Sequence, residues 1–259
     1  MCELFGFSGR EAADLRPYLH TFFSHSREHP HGWGLARLDH DAGKLLLDKE
    51  PVRAVDSIYL KRLLENPLDS PMVIGHIRKA TIGTVAWRNC HPYTARDLSG
   101  HRWTLAHNGT IFHFSPMDHF YKFSDSDTDS ASMLSWFLTG IGDAYRSKGE
   151  TLTREERFSR LDDMLREITP GNKVNLLIYD DDLYYVHTNM VGTLFRKATK
   201  AGTLFSTTAL EEIGWEPVPM NRLLAYDRGT LWREGKTHGN TYTENPEQSK
   251  LLYLSYAAL

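Results

Sequence analysis

Apolar residues along the chain recur with two spacings, one typical of helices and one typical of buried strands. Spacings of three to four residues predict helices over residues 11–27, 56–65, 127–146 and 151–168. Short apolar and aromatic runs bounded by turn-forming residues predict strands. The predicted strands cover residues 2–7, 33–38, 44–48, 72–80, 104–107, 173–179, 183–187, 193–196, 203–206, 223–226 and 230–232. Strands at both ends of the chain flank helices in the middle, which favours one α+β domain with two sheets over residues 1–259.

Turn and capping residues indicate where several elements end. Residues 41–43 (Asp-Ala-Gly) separate two predicted strands and favour a hairpin. Thr153 and Glu156 have the spacing of a capping box at the start of a helix. Asp127 and Thr128 are both suited to cap the helix over residues 127–146. We expect Asp127 to be that cap.

Composition and charge exclude several classes of protein. Hydrophobic residues make up 41% of the chain and charged residues 24%, as in globular proteins. The net charge of -3 gives no basic footprint, so neither nucleic acid nor an anionic membrane is an expected partner. No apolar run approaches the ~18 residues of a membrane span, and the amino terminus lacks the features of a signal peptide. Two cysteines make no disulfide framework, so we expect a cytoplasmic protein.

The thirteen histidines raise the question of a metal site. His25, His29 and His31 lie close together in sequence, but Pro30 argues against a helix that would place them on one face. The sequence has no Cys-x-x-Cys or His-Glu-x-x-His pattern. It also has no glycine-rich phosphate loop. We therefore expect no metal and no organic cofactor.

One of the two cysteines, Cys2, directly follows the initiator methionine. Removal of Met1 would leave a thiol and a free α-amine on the same residue, with ordinary pKa values of about 8.5 and about 8. Such an amine is suited to act as a general base, and the thiol is a strong nucleophile. The alternative is that Cys2 is only a small apolar residue in a buried first strand. We expect Cys90 to be a free thiol without a role in the chemistry.

Six short motifs occur in order along the chain. They are MCELFG at residues 1–6, HGWG at 31–34, GHIRKAT at 75–81, NCHPY at 89–93, WTLAHNG at 103–109 and DTDS at 127–130. Together they resemble the motifs of class II glutamine amidotransferases, most closely those of the stand-alone YafJ-type group. The resemblance spans nearly the whole chain. It implies the N-terminal-nucleophile (Ntn) hydrolase fold, a four-layer αββα sandwich with two antiparallel sheets.

The resemblance also implies catalytic roles for individual residues. Cys2 would be the nucleophile. The side-chain amide of Asn108 and the backbone N–H of Gly109 would form the oxyanion hole, which acyl transfer needs for its tetrahedral intermediate. The alternative for Asn108 and Gly109 is an ordinary Asn-Gly hairpin turn after a strand.

Four further residues are implied to bind substrate. Arg78 would hold the α-carboxylate of the substrate through its planar fork, with Thr81 as a helper. Asp129 would receive the α-ammonium group, and His91 would orient part of the pocket. The alternatives are that Arg78 pairs with a structural carboxylate, and that Asp129 is an acid in the first turn of a helix.

The implied substrate is glutamine or another γ-glutamyl amide, cleaved through a γ-glutamyl thioester on Cys2 without a cofactor. Lys79 follows Arg78 where the sugar-phosphate synthase branch has Trp, so the ammonia acceptor stays open. No attached synthase is expected, and a separate synthase or acceptor protein is a candidate partner. Two alternatives stay open. One is a hydrolase of a larger γ-glutamyl metabolite, as in ergothioneine or glutathione pathways, and the other is a non-catalytic binding or regulatory module on the same fold.

Overall fold

The computed structural model describes residues 2–39, 43–112, 114–121, 126–248 and 250. The strands in these ranges are β1 (Glu3–Asp14), β2 (Trp33–Leu38), β3 (Leu45–Glu50), β4 (Asp69–Ile77), β5 (Tyr93–Arg96), β6 (Arg102–Thr110), β7 (Lys173–Tyr179), β8 (Tyr184–His187), β9 (Phe195–Ala198), β10 (Gly202–Ser206), β11 (Glu216–Pro217), β12 (Leu224–Asp227) and β13 (Thr230–Glu234). The helices are α1 (Arg16–Ser24), α2 (Ile58–Glu65), α3 (Asp118–Tyr121), α4 (Asp129–Lys148) and α5 (Arg154–Ile168). Single 3₁₀ turns lie at His25–Arg27, Ala54–Asp56, Trp87–Asn89 and Ser115–Met117.

The strands form two antiparallel sheets that stack face to face. The first sheet has the order β11-β9-β10-β1-β4-β2-β3, and the second has the order β13-β12-β8-β7-β6-β5. Apolar side chains of α1 and α2 pack on the outer face of the first sheet. Those of α4 and α5 pack on the outer face of the second. The predicted α+β fold with an αββα sandwich is therefore confirmed.

Successive side chains of a strand point to opposite faces of the sheet, so the apolar side chains of the two sheets lie in three layers. On β1, Phe5 packs with α1 and α2, whereas Leu4 faces the second sheet. On β6, Leu105 packs with α4 and α5, whereas Ala106 faces the first sheet. Polar residues that continue the inward-facing positions on β4 and β6 therefore lie between the sheets.

The predicted helix over residues 11–27 is wrong at its start, because β1 continues to Asp14. The register of β1 against β4 shifts between Ser8 and Ala13, and pairing then resumes with Ala13 opposite Ser70. Helix α1 follows with Pro17 in its first turn, where the missing N–H of proline breaks no intrahelical hydrogen bond.

Thr128, not Asp127, is the N-cap of α4. The Thr128 side chain accepts a hydrogen bond from the Ala131 N–H, and its backbone is extended, as a cap requires. Asp127 instead accepts hydrogen bonds from Arg88 (3.1 Å) and from the Thr84 hydroxyl (3.3 Å). The expectation that Asp127 caps this helix is therefore wrong.

Several other local predictions are confirmed. Thr153 and Glu156 form the expected capping box of α5. Strands β2 and β3 pair as the expected hairpin, although residues 41 and 42 of its turn lie outside the described residues. Strands β5 and β11 were not predicted. Among the helices that the structure describes, none has the length and apolar character needed to cross a membrane.

Candidate active site

The sequence-predicted site residues meet at one end of the space between the sheets. Cys2 precedes β1, Arg78 follows the neighbouring strand β4, and Asp129 begins α4. A cavity of about 30 Å³ lies among them, lined by Cys2, Arg78, Lys79, Ala80, Thr81, Ile82, His91, His107, Gly109, Thr128, Asp129 and Ser130. Asn108 lies on β6 between two of the lining residues. A cavity of this volume holds only a few water molecules, so it has to enlarge to admit a glutamine side chain.

The Cys2 thiol contacts the backbone of that loop. Its Sγ accepts a hydrogen bond from the Lys79 N–H (3.3 Å), and the thiol donates to the Lys79 carbonyl (3.4 Å). Burial raises the pKa of the Cys2 thiol, and the Lys79 N–H and the positive charge of Arg78 offset part of this increase. Because thiolate is the reactive form, a thiol with a raised pKa needs a neighbouring base to become a nucleophile.

Arg78 is a buried cation that holds the loop following it. Its guanidinium donates to three backbone carbonyls, those of Ile82 (2.8 Å), Gly83 (3.0 Å) and Thr84 (2.9 Å). Only 3% of its surface is exposed, and no carboxylate of the described residues forms an ion pair with it. The interpretation that Arg78 pairs with a structural carboxylate therefore finds no support among these residues. A buried positive charge normally has an anionic partner, so this position is suited to an anion entering the cavity.

Asp129 is the corresponding buried anion. Its Oδ2 accepts a hydrogen bond from the Ile111 N–H (2.9 Å), and its Oδ1 accepts one from the Ser130 hydroxyl (3.2 Å). Within the described ranges no lysine, arginine or histidine forms an ion pair with this carboxylate. Asp129 lies in the first turn of α4, where the helix dipole also favours a negative charge. The first-turn role and the proposed substrate role are therefore compatible.

Asn108 and Gly109 lie within strand β6, not in a turn. Asn108 is opposite Asn175 on β7, and Gly109 is opposite Val174. Both the hairpin-turn alternative and the expectation that these residues follow a strand are therefore wrong. Asn108 is buried, and its Oδ1 has no hydrogen-bond partner among the described residues.

Gly109 is required by the close approach of β7. A Cβ atom placed on Gly109 would overlap the Lys173 carbonyl oxygen and lie 2.7 Å from the Lys173 carbonyl carbon. Contacts this short do not occur for real Cβ atoms, so only glycine fits here without a backbone shift.

His91 and His107 are buried beside the cavity. The His91 Nδ1 accepts a hydrogen bond from the His107 N–H (3.3 Å). The His107 Nε2 donates to the Lys173 carbonyl (3.1 Å), and its Nδ1 lies 3.0 Å from the Ser130 hydroxyl, whose single hydrogen it shares with the Asp129 Oδ1. These contacts are those of neutral imidazole rings. Burial lowers the pKa of both histidines, which also favours the neutral form. His91 thus contacts β6 directly, and its orienting role stays a prediction.

Other residues singled out by sequence have different surroundings. Cys90 is buried and donates to the Glu50 carbonyl (3.4 Å), so it packs within the fold. His25 contacts Glu3 (2.9 Å), whereas His31 accepts a hydrogen bond from the Ala80 N–H (2.9 Å). In the described part of the chain, no group of three or more histidine, cysteine and acidic side chains is arranged to hold a metal ion.

The sequence reasoning missed Lys79, His107 and a further histidine, His76. All three belong to the motifs at residues 75–81 and 103–109. Their position inside these motifs was the available signal. Their contacts could not be derived from it, because they depend on how β4 packs against β6.

Comparison with known proteins identifies the family of this chain. The family model "Glutamine amidotransferases class-II" matches residues 1–211. An uncharacterized protein of Methanocaldococcus jannaschii is 27% identical over 74% of this chain, and the match spans about half (52%) of that protein. The protein of Escherichia coli K12 named "Putative glutamine amidotransferase YafJ" is 29% identical, and the match covers 73% of this chain and 74% of that protein.

Solved structures of similar fold extend over most of the chain. A predicted glutamine amidotransferase from Pseudomonas aeruginosa PA01 aligns with a TM-score of 0.60 and 24% identity, over 90% of this chain and 95% of that one. Glutamine phosphoribosylpyrophosphate amidotransferase from Bacillus subtilis aligns with a TM-score of 0.64 and 19% identity, over 93% of this chain and 50% of that one. At these sequence identities the solved structures show the fold alone. Membership of the family is shown by the family model, which matches residues 1–211. The chain belongs to the class II glutamine amidotransferases.

Proposed function

We propose that this protein hydrolyses the γ-amide of glutamine, or of another γ-glutamyl compound, through a thioester on Cys2. One observation carries the proposal. Arg78 and Asp129 have opposite charges, are buried, and form no ion pair with any described residue, yet both line the cavity that holds the Cys2 thiol. An α-amino acid carries a carboxylate and an ammonium on one carbon atom. Bound between Arg78 and Asp129, it would satisfy both charges at once.

The reaction begins after Met1 has been removed. The α-amine of Cys2 takes the thiol proton, directly or through a water molecule, and the thiolate attacks the γ-carbonyl carbon. The side-chain amide of Asn108 and the N–H of Gly109 donate to the oxyanion that forms. Collapse of this intermediate expels ammonia, which leaves with the proton held by the α-amine, and a γ-glutamyl thioester remains. Water, deprotonated by the same amine, then attacks the thioester and releases glutamate and the thiol.

The raised pKa of the Cys2 thiol is consistent with this sequence of steps. A thiol that stays protonated at neutral pH is protected from unwanted reactions while the site is empty. The free α-amine, which forms only when Met1 is removed, supplies the base on the same residue. Removal of Met1 therefore acts as the activating step.

Intact mass spectrometry with the glutamine analogue diazo-oxo-norleucine tests the proposal. We expect a mature chain without Met1 that gains a single adduct. The adduct should be absent from Cys2→Ala and present in the matched control Cys90→Ala, whose thiol packs within the fold. A chain that retains Met1 and forms no adduct would refute the catalytic proposal and favour the binding-module alternative.

Steady-state kinetics on a panel of γ-glutamyl amides then identifies the substrate class. Glutamine should be hydrolysed to glutamate and ammonia, whereas its N-acetyl derivative should not react, since acetylation removes the positive charge proposed to face Asp129. A kcat/KM value that is higher for a larger γ-glutamyl compound than for glutamine would assign the site to a γ-glutamyl metabolite hydrolase.

A further inference from the structure

His76 is a fully buried histidine that the mechanism above does not use. It lies on β4, opposite Leu4 on β1 and Gly34 on β2, and faces the space between the sheets. Neither ring nitrogen forms a hydrogen bond with a described residue. A neutral imidazole keeps one N–H, and a buried donor left unpaired lowers stability. A residue kept at this cost calls for an explanation beyond filling space.

The ring of His76 is held in place by its neighbours. It packs against the ring of His91, with ring centres 4.1 Å apart, and His91 packs in turn against Tyr93 at 4.7 Å. The His91 backbone also lies against β2, at the residue paired with His76. A Cβ placed on Gly34 would overlap the His91 carbonyl oxygen and lie 3.0 Å from its carbon. Glycine at position 34 therefore allows the His91 backbone to lie this close to the first sheet.

Both histidines meet β6 at the residue that precedes Asn108. The His91 Nδ1 accepts the His107 N–H (3.3 Å), while the His107 carbonyl faces the His76 ring without a hydrogen bond of normal geometry. Burial lowers the pKa of His76 well below its usual value, so its ring is neutral and carries a single N–H at neutral pH.

Strand β6 is supported from its other sides by different contacts. Its register with β7 holds it within the sheet, and the hydrogen bond between the His107 ring and Ser130 ties it to α4. On the remaining side, which faces the first sheet, Ala106 of β6 packs with Leu4 and Ile74, and His76 continues the same face of β4. His76 does not line the cavity, so it acts through β6 and not on the substrate.

We propose that His76 is a positioning residue for the oxyanion hole. Clamped against His91, its ring holds the peptide between His107 and Asn108, and this sets the direction of the Asn108 amide and the Gly109 N–H. The inference rests on the proposed function, because it assumes that these two groups receive the oxyanion. It predicts that changes at His76 affect the transition state and leave ground-state binding unchanged.

The variant His76→Phe provides the direct test. Phenylalanine keeps a ring against His91 and removes both unpaired nitrogen atoms, so we expect a melting temperature equal to or above that of the unchanged protein. We expect kcat for glutamine to fall roughly 10- to 100-fold with KM unchanged, since misplaced donors stabilise an oxyanion poorly. The γ-aldehyde analogue of glutamine, which forms a tetrahedral adduct with the Cys2 thiol, should lose affinity by a similar factor. The affinity for glutamate should not change.

Two further variants sharpen the test. Thr104→Val is the matched control, because Thr104 lies on β6, is buried, and also has a side-chain oxygen without a partner among the described residues. This variant should leave kcat, KM and the aldehyde affinity unchanged. His76→Gln keeps an amide donor and should be at least about ten-fold more active than His76→Phe.

The outcomes separate this inference from the proposed function. A folded His76→Phe protein with unchanged kcat and aldehyde affinity overturns the inference alone, as does an equal loss of affinity for the aldehyde and for glutamate. If His76→Phe does not fold, the same measurements are made on His76→Leu. The loss of affinity for the aldehyde is then compared with the loss of affinity for glutamate. If the unchanged protein neither hydrolyses a γ-glutamyl amide nor forms an adduct at Cys2, the proposed function fails and the inference fails with it.

Discussion

Replacing Gly109 with alanine adds one methyl group where β6 comes closest to β7. The new Cβ would lie 2.7 Å from the Lys173 carbonyl carbon, and it would also overlap the Lys173 oxygen and the His107 Nε2. Ordinary van der Waals contact begins near 3.4 Å, so the carbon contact alone requires a displacement of about 0.7 Å. The two Lys173 atoms belong to the backbone of a paired strand and cannot rotate away.

The expected cost has a structural and a catalytic part. Overpacking a buried site costs about 1–3 kcal/mol. For a chain of this length, that corresponds to a fall of roughly 2–12 °C in melting temperature. Catalytic donors must lie within about 0.5 Å of their productive positions. A displacement of this size should therefore lower kcat/KM for glutamine by roughly 100-fold or more.

Thermal unfolding followed by circular dichroism, together with glutamine hydrolysis kinetics, measures both parts. Gly142→Ala is a matched control, since Gly142 lies inside α4 and its added Cβ would meet only side chains, the nearest at 3.3 Å. Alanine is favoured over glycine in a helix, so this control should be as stable as the unchanged protein or more stable by up to about 1 kcal/mol, with full activity. A Gly109→Ala protein with unchanged melting temperature would refute the steric reasoning. A destabilised variant with unchanged kcat/KM would refute the role of Gly109 in the oxyanion hole.

Three further predictions concern charge. Arg78→Lys removes the planar guanidinium that donates to three loop carbonyls. In steady-state kinetics we expect kcat/KM for glutamine to fall at least about 100-fold. A loss below about three-fold would contradict the proposed role of Arg78 in binding the substrate carboxylate. Arg157→Met leaves the fully buried Asp180 carboxylate without the cation 2.7 Å away, which should cost about 3–5 kcal/mol in urea unfolding. A cost below about 1 kcal/mol would show that the neutral donors around Asp180 are sufficient. Burial lowers the pKa of His187 to about 3 in the folded protein, whereas the pKa in the unfolded chain is about 6.5. Between these two pH values the unfolded chain binds a proton at His187 and the folded protein does not. The free energy of unfolding is therefore unaffected by this group above about pH 6.5 and decreases as the pH falls towards 3, by up to about 1.4 kcal/mol per pH unit. In His187→Phe, the free energy of unfolding measured between pH 4 and 6 should depend less steeply on pH.

Local signals in the sequence predicted several elements well. The capping box of α5 and the central part of α4 depend on residues three to four positions apart, so their signals are complete within one segment. The start of α1 was predicted poorly because residues 11–14 have a helix-compatible spacing but belong to β1, and Ala13 and Asp14 pair with β4 across the sheet. In such a segment, pairing with a distant strand outweighs the local preference.

The choice between Asp127 and Thr128 as the cap of α4 shows the same limit. Both residue types are good caps, so the sequence favours neither strongly. Arg88, which is distant in sequence, engages Asp127 and leaves the capping position to Thr128. Asn108 and Gly109 behave similarly: their pair is common in turns, yet pairing with β7 keeps both inside a strand.

The sequence by itself indicated the family, through six motifs whose order and residue types resemble those of class II glutamine amidotransferases. It also determined which residue types were available: a thiol near the amino terminus, an arginine and a carboxylate. Only the tertiary structure decided that the charges of Arg78 and Asp129 face one cavity unpaired among the described residues, and that the ring of His76 packs against that of His91. The physical reason is that charge pairing and side-chain packing depend on distances between strands far apart in sequence, whereas motifs record only which residues are present and in what order.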